Sequence, residues 1–267
     1  MNIREFIPPI LFKIKSSTKN YKTYLNALED LKNETYDNSE LCNLIAEKTV
    51  NFKSTELSKE IDNSNFFLLS VINSYISQTQ KNHLTIVDFG GACGAHYFTI
   101  TKLVNDKKIK FNWIVVETKE MVNAAINANL QNDQLTFTDS LENLDVVPDI
   151  VHSSCALHYV DKPFQVLQQL INLNAKVLAF NKMLFEENNL EGVFIQKSRL
   201  SNNGIGKLPS NIDDKIIKYP CSIFSFSNFN EFIQKKYHLT LKFDQTNHNF
   251  FLGGMNIKIK ALLFQLK

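Results

Sequence analysis

Cysteine is scarce and scattered in this chain. Four occur in 267 residues, Cys42, Cys93, Cys155 and Cys221, and no two form a C-x-x-C pair. That spacing excludes a zinc ribbon and a disulfide framework, and it fits reduced thiols in a cytoplasmic protein. A charge excess is also lacking. Lys and Arg number 29 against 27 Asp and Glu, a net charge of +2, so nothing argues for a nucleic-acid partner. No run reaches eighteen apolar residues, so no transmembrane helix is expected. Glu5 and Pro8-Pro9 interrupt the first apolar stretch, which excludes a signal-peptide pattern. No G-x-S-x-G elbow occurs, which disfavours a serine hydrolase. No histidine–carboxylate group shows metal-ligand spacing, so no metal is expected.

Glycine is rare too, and its placement is informative. Of eight glycines, three crowd into Val87-Asp88-Phe89-Gly90-Gly91-Ala92-Cys93-Gly94-Ala95-His96. Thr85-Ile86-Val87 before them predicts a buried strand, and Ala95–Val104 after them can form a helix. Strand, tight turn and helix bring backbone N–H groups and a helix N-terminus beside a ligand. That geometry suits an anionic or polar nucleotide-like cofactor.

Two patterns compete for the turn. A dinucleotide site carries G-x-G-x-x-G, but from Gly90 the third and sixth positions are Ala92 and Ala95. The other pattern is an acid followed by x-G-x-G-x-G. Asp88, Gly90 and Gly94 match its acid and outer glycines, Ala92 replaces the middle glycine, and Gly91 is extra. A carboxylate at a strand tip holds a cationic amino acid through charge-assisted hydrogen bonds and repels a pyrophosphate. Glu117 ends the apolar run Phe111–Val116, 29 residues after Asp88, where an acid commonly accepts ribose hydroxyls. Asp139 and Ser140 follow a third strand. They suit contact with an adenine edge, or Ser140 opens a helix over Ser140–Leu144.

The rest of the chain divides in two. Residues 21–80 read as helical, with Leu41, Leu44 and Ile45, then Phe67, Leu68, Val71, Ile72 and Tyr75, at helical spacing and breaks at Asn33–Asn38 and Asp62–Ser64. From residue 81, short apolar strands alternate with helices. The strands are Thr85–Phe89, Phe111–Val116, Leu135–Phe137, Asp149–His152 and Lys176–Phe180. The helices are Ala95–Val104, Lys119–Asn129 and Pro163–Asn172. That alternation predicts an α/β domain with a parallel sheet covered on both faces, ligands binding at the carboxyl ends of its strands. Asp88, Glu117, Asp139 and Ser153 fall on that rim. An irregular stretch over 183–220 reads as a lid or substrate-recognition insertion. A helix at Ser227–Tyr237 and strands at Leu239–Asp244 and Met255–Phe264 then close the chain as an antiparallel hairpin. The arm Met1–Lys15 mixes apolar and basic residues; it suits peripheral membrane or partner contact, though such arms more commonly pack on their own domain.

Together these pieces resemble the class I S-adenosylmethionine-dependent methyltransferases, and more narrowly an uncharacterised bacterial methyltransferase family often encoded beside surface-polysaccharide genes. The resemblance covers most of the chain. It rests on Pro8-Pro9-Ile10-Leu11, the Val87–Gly94 turn, Ser153-Ser154-Cys155-Ala156-Leu157-His158-Tyr159-Val160-Asp161, and Tyr219-Pro220-Cys221-Ser222-Ile223-Phe224. It implies a Rossmann-like sheet of seven strands with the last hairpin antiparallel, preceded by a helical extension (residues 1–80) and interrupted after strand 5. It also implies S-adenosylmethionine as cofactor, with Asp88, Gly90, Gly91, Gly94, His96, Glu117, Asp139, Ser140 and Ser153 toward it. A saccharide or other small-molecule hydroxyl is the implied acceptor, in polysaccharide biosynthesis. The chain departs from that family at His158, where glutamine is usual, and at Asn181-Lys182, where an arginine is usual nearby.

Methyl transfer to a hydroxyl needs alignment and a proton acceptor. His158, after the fourth strand and titrating near neutrality, is the expected base, with Tyr159 beside it orienting the acceptor. His96 starts the glycine-turn helix and suits the cofactor's carboxylate end, while His152 lies nearer the strand. Cys155 has no base partner in sequence. Two other readings stand beside this one: an NAD(P)-dependent oxidoreductase, opposed by Asp88 and the incomplete dinucleotide pattern, and a non-catalytic protein that keeps a methyltransferase-like fold. The oligomeric state is not legible.

Overall fold

A computed structural model describes residues 19–31, 38–55, 62–104, 108–142, 144–246, 250–252 and 254–267. The Met1–Lys15 arm, with its Pro8-Pro9-Ile10-Leu11 motif, and most of the expected break at Asn33–Asn38 lie outside these residues.

Among the described residues three helices come first: α1 (Tyr24–Asp30), α2 (Ser39–Ser54) and α3 (Asn63–Thr79). Each starts where the sequence supplies a cap. The side chains of Thr23, Asn38 and Asp62 accept hydrogen bonds from the backbone N–H groups of Asn26, Glu40 and Asn65. The alternating part follows as β1 (His83–Phe89), α4 (Ala95–Leu103), β2 (Lys110–Val116), α5 (Lys119–Asn127), β3 (Leu135–Thr138), β4 (Ile150–Ser154), α6 (Pro163–Asn172) and β5 (Val177–Glu186). Then come β6 (Gly192–Arg199), β7 (Ile216–Ser225), α7 (Phe226–Gln234), β8 (Tyr237–Asp244), β9 (Phe250–Leu252) and β10 (Met255–Leu266).

Seven strands form the main path, in the order β3-β2-β1-β4-β5-β10-β8. Pairings among β1 to β5 on this path are parallel, whereas β10 runs antiparallel to both β5 and β8. The ending is therefore the expected antiparallel hairpin. The central strands carry apolar residues on both faces, as a doubly covered parallel sheet requires. Ile86, Trp113, Ile150 and Ala179 join a core with α2 to α5. Val87, Ile114, Val151 and Leu178 join a second core with α6 and α7. Strand order reverses between β1 and β4, so a crevice opens at their carboxyl ends.

The stretch after strand 5 corrects the expectation of an irregular insertion. β5 runs on to Glu186, and β6 and β7 form an antiparallel ribbon that joins it through Phe185 and Glu186. The sequence pattern does not reveal the ribbon, because polar side chains at Gln196, Ser198 and Ser222 are buried in it and blur the alternation of apolar residues. Two residues of β5, Asn181 and Lys182, stand opposite Ala261 alone, and Lys182 has φ 51°. This bulge re-aims the strand at the rim.

The ribbon's connecting loop docks into the helical extension. Lys48 on α2 is fully buried, and its ammonium donates to the carbonyls of Ser201 (2.9 Å) and Asn203. Burial pushes this ammonium down to about 8. Lys48→Met is expected to lower unfolding free energy by roughly 1–3 kcal/mol, since two carbonyls lose their donor. Urea denaturation checks this; unchanged stability would show that the contact contributes nothing.

Candidate functional site

The crevice is lined by strand ends, and each position follows from the topology. β1 delivers Phe89 and Gly90, β2 delivers Glu117 and Thr118, β3 delivers Asp139 and Ser140, and β4 delivers Ser154 and Cys155. The pocket they bound holds about 700 Å³, within the range of small-molecule sites. Gly90 has φ 73° and donates its N–H to Val116 at 2.9 Å. A Cβ there would lie 2.0 Å from the Cβ of Ala156, so the glycine is needed for both conformation and space. Ala92 also takes a left-handed conformation, φ 49°, at the position of the missing middle glycine. Its N–H donates to Oε1 of Glu117 at 3.0 Å, while Oε2 accepts the Thr118 N–H at 3.0 Å. The Glu117 carboxylate is thus fixed at the pocket wall by two backbone donors.

The opposite wall comes from α1 and the ribbon: Tyr24, Leu28, Gln196, Asn203 and Tyr219, with Tyr159 from the 3-10 turn after β4. Tyr24 donates its hydroxyl to the Tyr159 carbonyl at 2.8 Å. Tyr159 donates to Oε1 of Gln196 at 3.0 Å, and Nε2 of Gln196 donates to the Tyr219 hydroxyl at 3.2 Å. The Tyr159 and Tyr219 rings meet edge-to-face with centroids 5.2 Å apart. Burial raises all three phenols above their usual range. Burial likewise pushes the Cys155 thiol up to about 11. This wall is therefore neutral at physiological pH and interacts by hydrogen bonding. Lys182 at the β5 bulge also lines the pocket, 4.0 Å from the Asp62 carboxylate.

Of the residues singled out in the sequence, Gly90, Glu117, Asp139, Ser140 and Tyr159 line this pocket. Six others do not. Asp88 is fully buried, with Oδ1 2.8 Å from Nδ1 of His152 and Oδ2 3.0 Å from Nδ1 of His96 and 3.3 Å from the Trp113 indole nitrogen. Its expected direct contact with a cationic group is therefore corrected, because all its partners are internal. Gly91 is small for the sake of that carboxylate, since a Cβ would fall 2.5 Å from Oδ2. Gly94, at φ 83°, caps α4 and packs toward Leu135. The same Asp88 partnership turns His96 inward. Ser153 is fully buried because strand alternation sends its side chain into the sheet, and its neighbour Ser154 takes the rim position. The alternative helix at Ser140–Leu144 is absent among the described residues.

His158 requires the largest correction. It is fully buried, with Nδ1 2.6 Å from the Ser222 carbonyl, and Nε2 accepts the Leu184 N–H at 3.0 Å. It stacks on Phe224 at 4.5 Å. Burial pushes its pKa down to about 4. Both nitrogens are engaged, so the side chain is a structural bridge between β5, β7 and the 3-10 turn and not a base. Sequence reasoning does not single out Tyr24, Leu28 and Gln196 as site residues, because they arrive from separate segments, and it marks Lys182 only as a departure from the family pattern. Tyr219 was part of a noted motif but carried no signal of its own.

No family model matches the chain, and no curated protein matches it. Solved structures do. The [4+2]-cyclase SpnF is 7% identical, with a TM-score of 0.50 over 87% of this chain and 96% of that one. An S-adenosylmethionine-dependent methyltransferase from Clostridium acetobutylicum ATCC 824 is 13% identical, with a TM-score of 0.47 over 82% and 98%. A magnesium protoporphyrin IX methyltransferase from Synechocystis PCC 6803 with bound SAM is 11% identical, with a TM-score of 0.45 over 85% and 96%. At a TM-score of 0.50 the likeness to the cyclase shows a shared fold, here a mostly parallel sheet with a final antiparallel hairpin. A fold serves several chemistries, so the reaction has to be argued from the site.

Proposed function

We propose that this protein is an S-adenosylmethionine-dependent methyltransferase acting on a small-molecule acceptor, with a sugar hydroxyl favoured by the family resemblance. One observation carries this reading: Glu117, held by the Ala92 and Thr118 amides at the end of β2, faces the same pocket as the Gly90 turn, Asp139 and Ser140. A second-strand carboxylate with its orientation fixed suits a ribose diol. The Gly90 turn offers close backbone approach, and Asp139 with Ser140 suits an adenine edge. When bound, the cofactor supplies an electrophilic methyl group. Tyr159, Gln196 and Tyr219 supply neutral donors and acceptors that orient a hydroxylated acceptor, and Tyr24 and Leu28 cover it from water. The four scattered cysteines support a cytoplasmic setting.

S-adenosylhomocysteine is expected to raise the melting temperature of the wild type. Glu117→Ala should weaken its binding by roughly 10–100-fold, the worth of hydrogen bonds to a charged group. Calorimetric titration measures both, and methyl transfer to a panel of nucleotide sugars identifies the acceptor. Stabilisation by NAD(H) and none by S-adenosylhomocysteine would sink the reading.

A further inference from the structure

Beneath the glycine turn lies a cluster that the pocket does not use. Asp88 on β1 and His152 on β4 are direct partners in the parallel register, so their side chains emerge side by side on one face of the sheet. His96 reaches the same carboxylate from the first turn of α4. One donor atom from each of the three residues lies within 4.8 Å of the others. Eight and 64 residues separate His96 and His152 from Asp88 in the chain, so sequence spacing does not reveal the cluster.

The buried carboxylate needs a counter-charge, from a proton on a neighbouring imidazole or from a metal ion. Asp88 has no exposed surface, and a buried carboxylate persists only when paired or bound to a metal. Asp62 and Lys182, the other charged groups facing His96, lie 4.0 Å apart and offset each other. The Asp88 charge is left to its own cluster, where two imidazoles and an indole contribute only dipoles unless a proton or an ion is added. Two imidazole nitrogens and one carboxylate oxygen form the donor set of first-row divalent ions, whereas Ca²⁺ and Mg²⁺ prefer all-oxygen shells. Nδ1 of His152 lies 2.8 Å from Oδ1 and Nδ1 of His96 lies 3.0 Å from Oδ2, so seating an ion between the imidazoles requires the shorter contact to open by a few tenths of an ångström. Ligands bonded at about 2.1 Å stand roughly 3.0–3.4 Å apart around a six- or four-coordinate ion. The imidazole planes cross at 87° with centroids 4.7 Å apart, so the two rings do not stack over each other. His96 keeps 16% of its side chain exposed, which leaves a route in.

We propose that Asp88, His96 and His152 form a binding site for a divalent first-row transition ion of the Zn²⁺ or Fe²⁺ class. The site is independent of the methyltransferase reading. Coordination through Nδ1 places the His152 proton on Nε2, an atom that has no partner among the described residues. Gly91 preserves the space around the carboxylate.

The test uses Co²⁺ alone on the full chain, stripped with EDTA. The wild type is expected to retain about one Co²⁺ per chain after dialysis, read by elemental analysis and by visible d–d absorption. His96→Gln and His152→Asn keep an amide donor for Asp88 but ligate poorly, and each should bind at least tenfold more weakly. Melting curves in EDTA report whether each variant folds. A wild type that retains no Co²⁺ overturns the site and leaves a hydrogen-bonded His96–Asp88–His152 cluster. Folded variants that bind as well as the wild type overturn it too. S-adenosylhomocysteine titration in EDTA tests the cofactor pocket separately, so either idea can fail without the other.

Discussion

Gly90→Ala is expected to destabilise the protein by roughly 2–5 kcal/mol. Two effects add. The left-handed conformation at φ 73° costs a side chain about 1–2 kcal/mol. The new Cβ would also sit 2.0 Å from the Cβ of Ala156, and relieving such an overlap costs roughly 1–3 kcal/mol more. Gly254→Ala is the internal control. Gly254 is left-handed too, at φ 83°, but nothing lies within 4 Å of its Cβ position, so only the conformational cost of about 1–2 kcal/mol should appear. Urea denaturation of the two variants separates packing from backbone strain. Equal losses would show that contact with Ala156 is not what demands the glycine. The contact also joins the turn after β1 to the turn after β4. Gly90→Ala should therefore weaken S-adenosylhomocysteine binding even at temperatures where the variant stays folded.

Acidification from pH 6.5 to 4 is expected to remove on the order of 3 kcal/mol of stability through His158 alone. Its folded pKa is depressed from 6.5 to about 4 by burial. The unfolded chain therefore takes up a proton below pH 6.5 that the folded chain refuses until about pH 4. The stability is fully present above 6.5 and is lost as pH falls through that window. His158→Gln has no such titration, and its amide can still offer a donor to Ser222 and an acceptor to Leu184. The stability gap between wild type and variant should narrow steadily between pH 7 and 4; a constant gap would refute the assignment. Activity gives a second readout. Loss of a general base costs roughly 10²–10⁴-fold. His158→Gln should stay within about tenfold of the wild-type rate, because the ring bridges backbone groups instead of meeting the acceptor.

Local chemistry in the sequence determined the scaffold. Largely apolar runs such as Phe111–Val116 read as strands buried on both faces, and the glycines at 90 and 94 mark where the chain turns left-handed. The helix boundary at Asp62 is legible for the same reason, since a cap is decided by residues two or three apart. The rim residues Glu117, Asp139 and Ser140 followed from strand ends alone.

Tertiary structure decided everything that depends on which side of a backbone faces a distant segment. His158 and Tyr159 are neighbours, yet one is sealed against Leu184 and Ser222 while the other faces the pocket. Asp88 reads in the sequence as a ligand for a cofactor, whereas β4 and α4 bring His152 and His96 to its two oxygens. The pocket's second wall comes from α1 and from a ribbon whose buried polar residues hide its alternation. Sequence periodicity reports local geometry, and burial of a polar side chain depends on partners tens of residues away. The sheet and its glycine turn could be read from the chain, whereas the enclosure of Asp88 and the orientation of His158 required the fold.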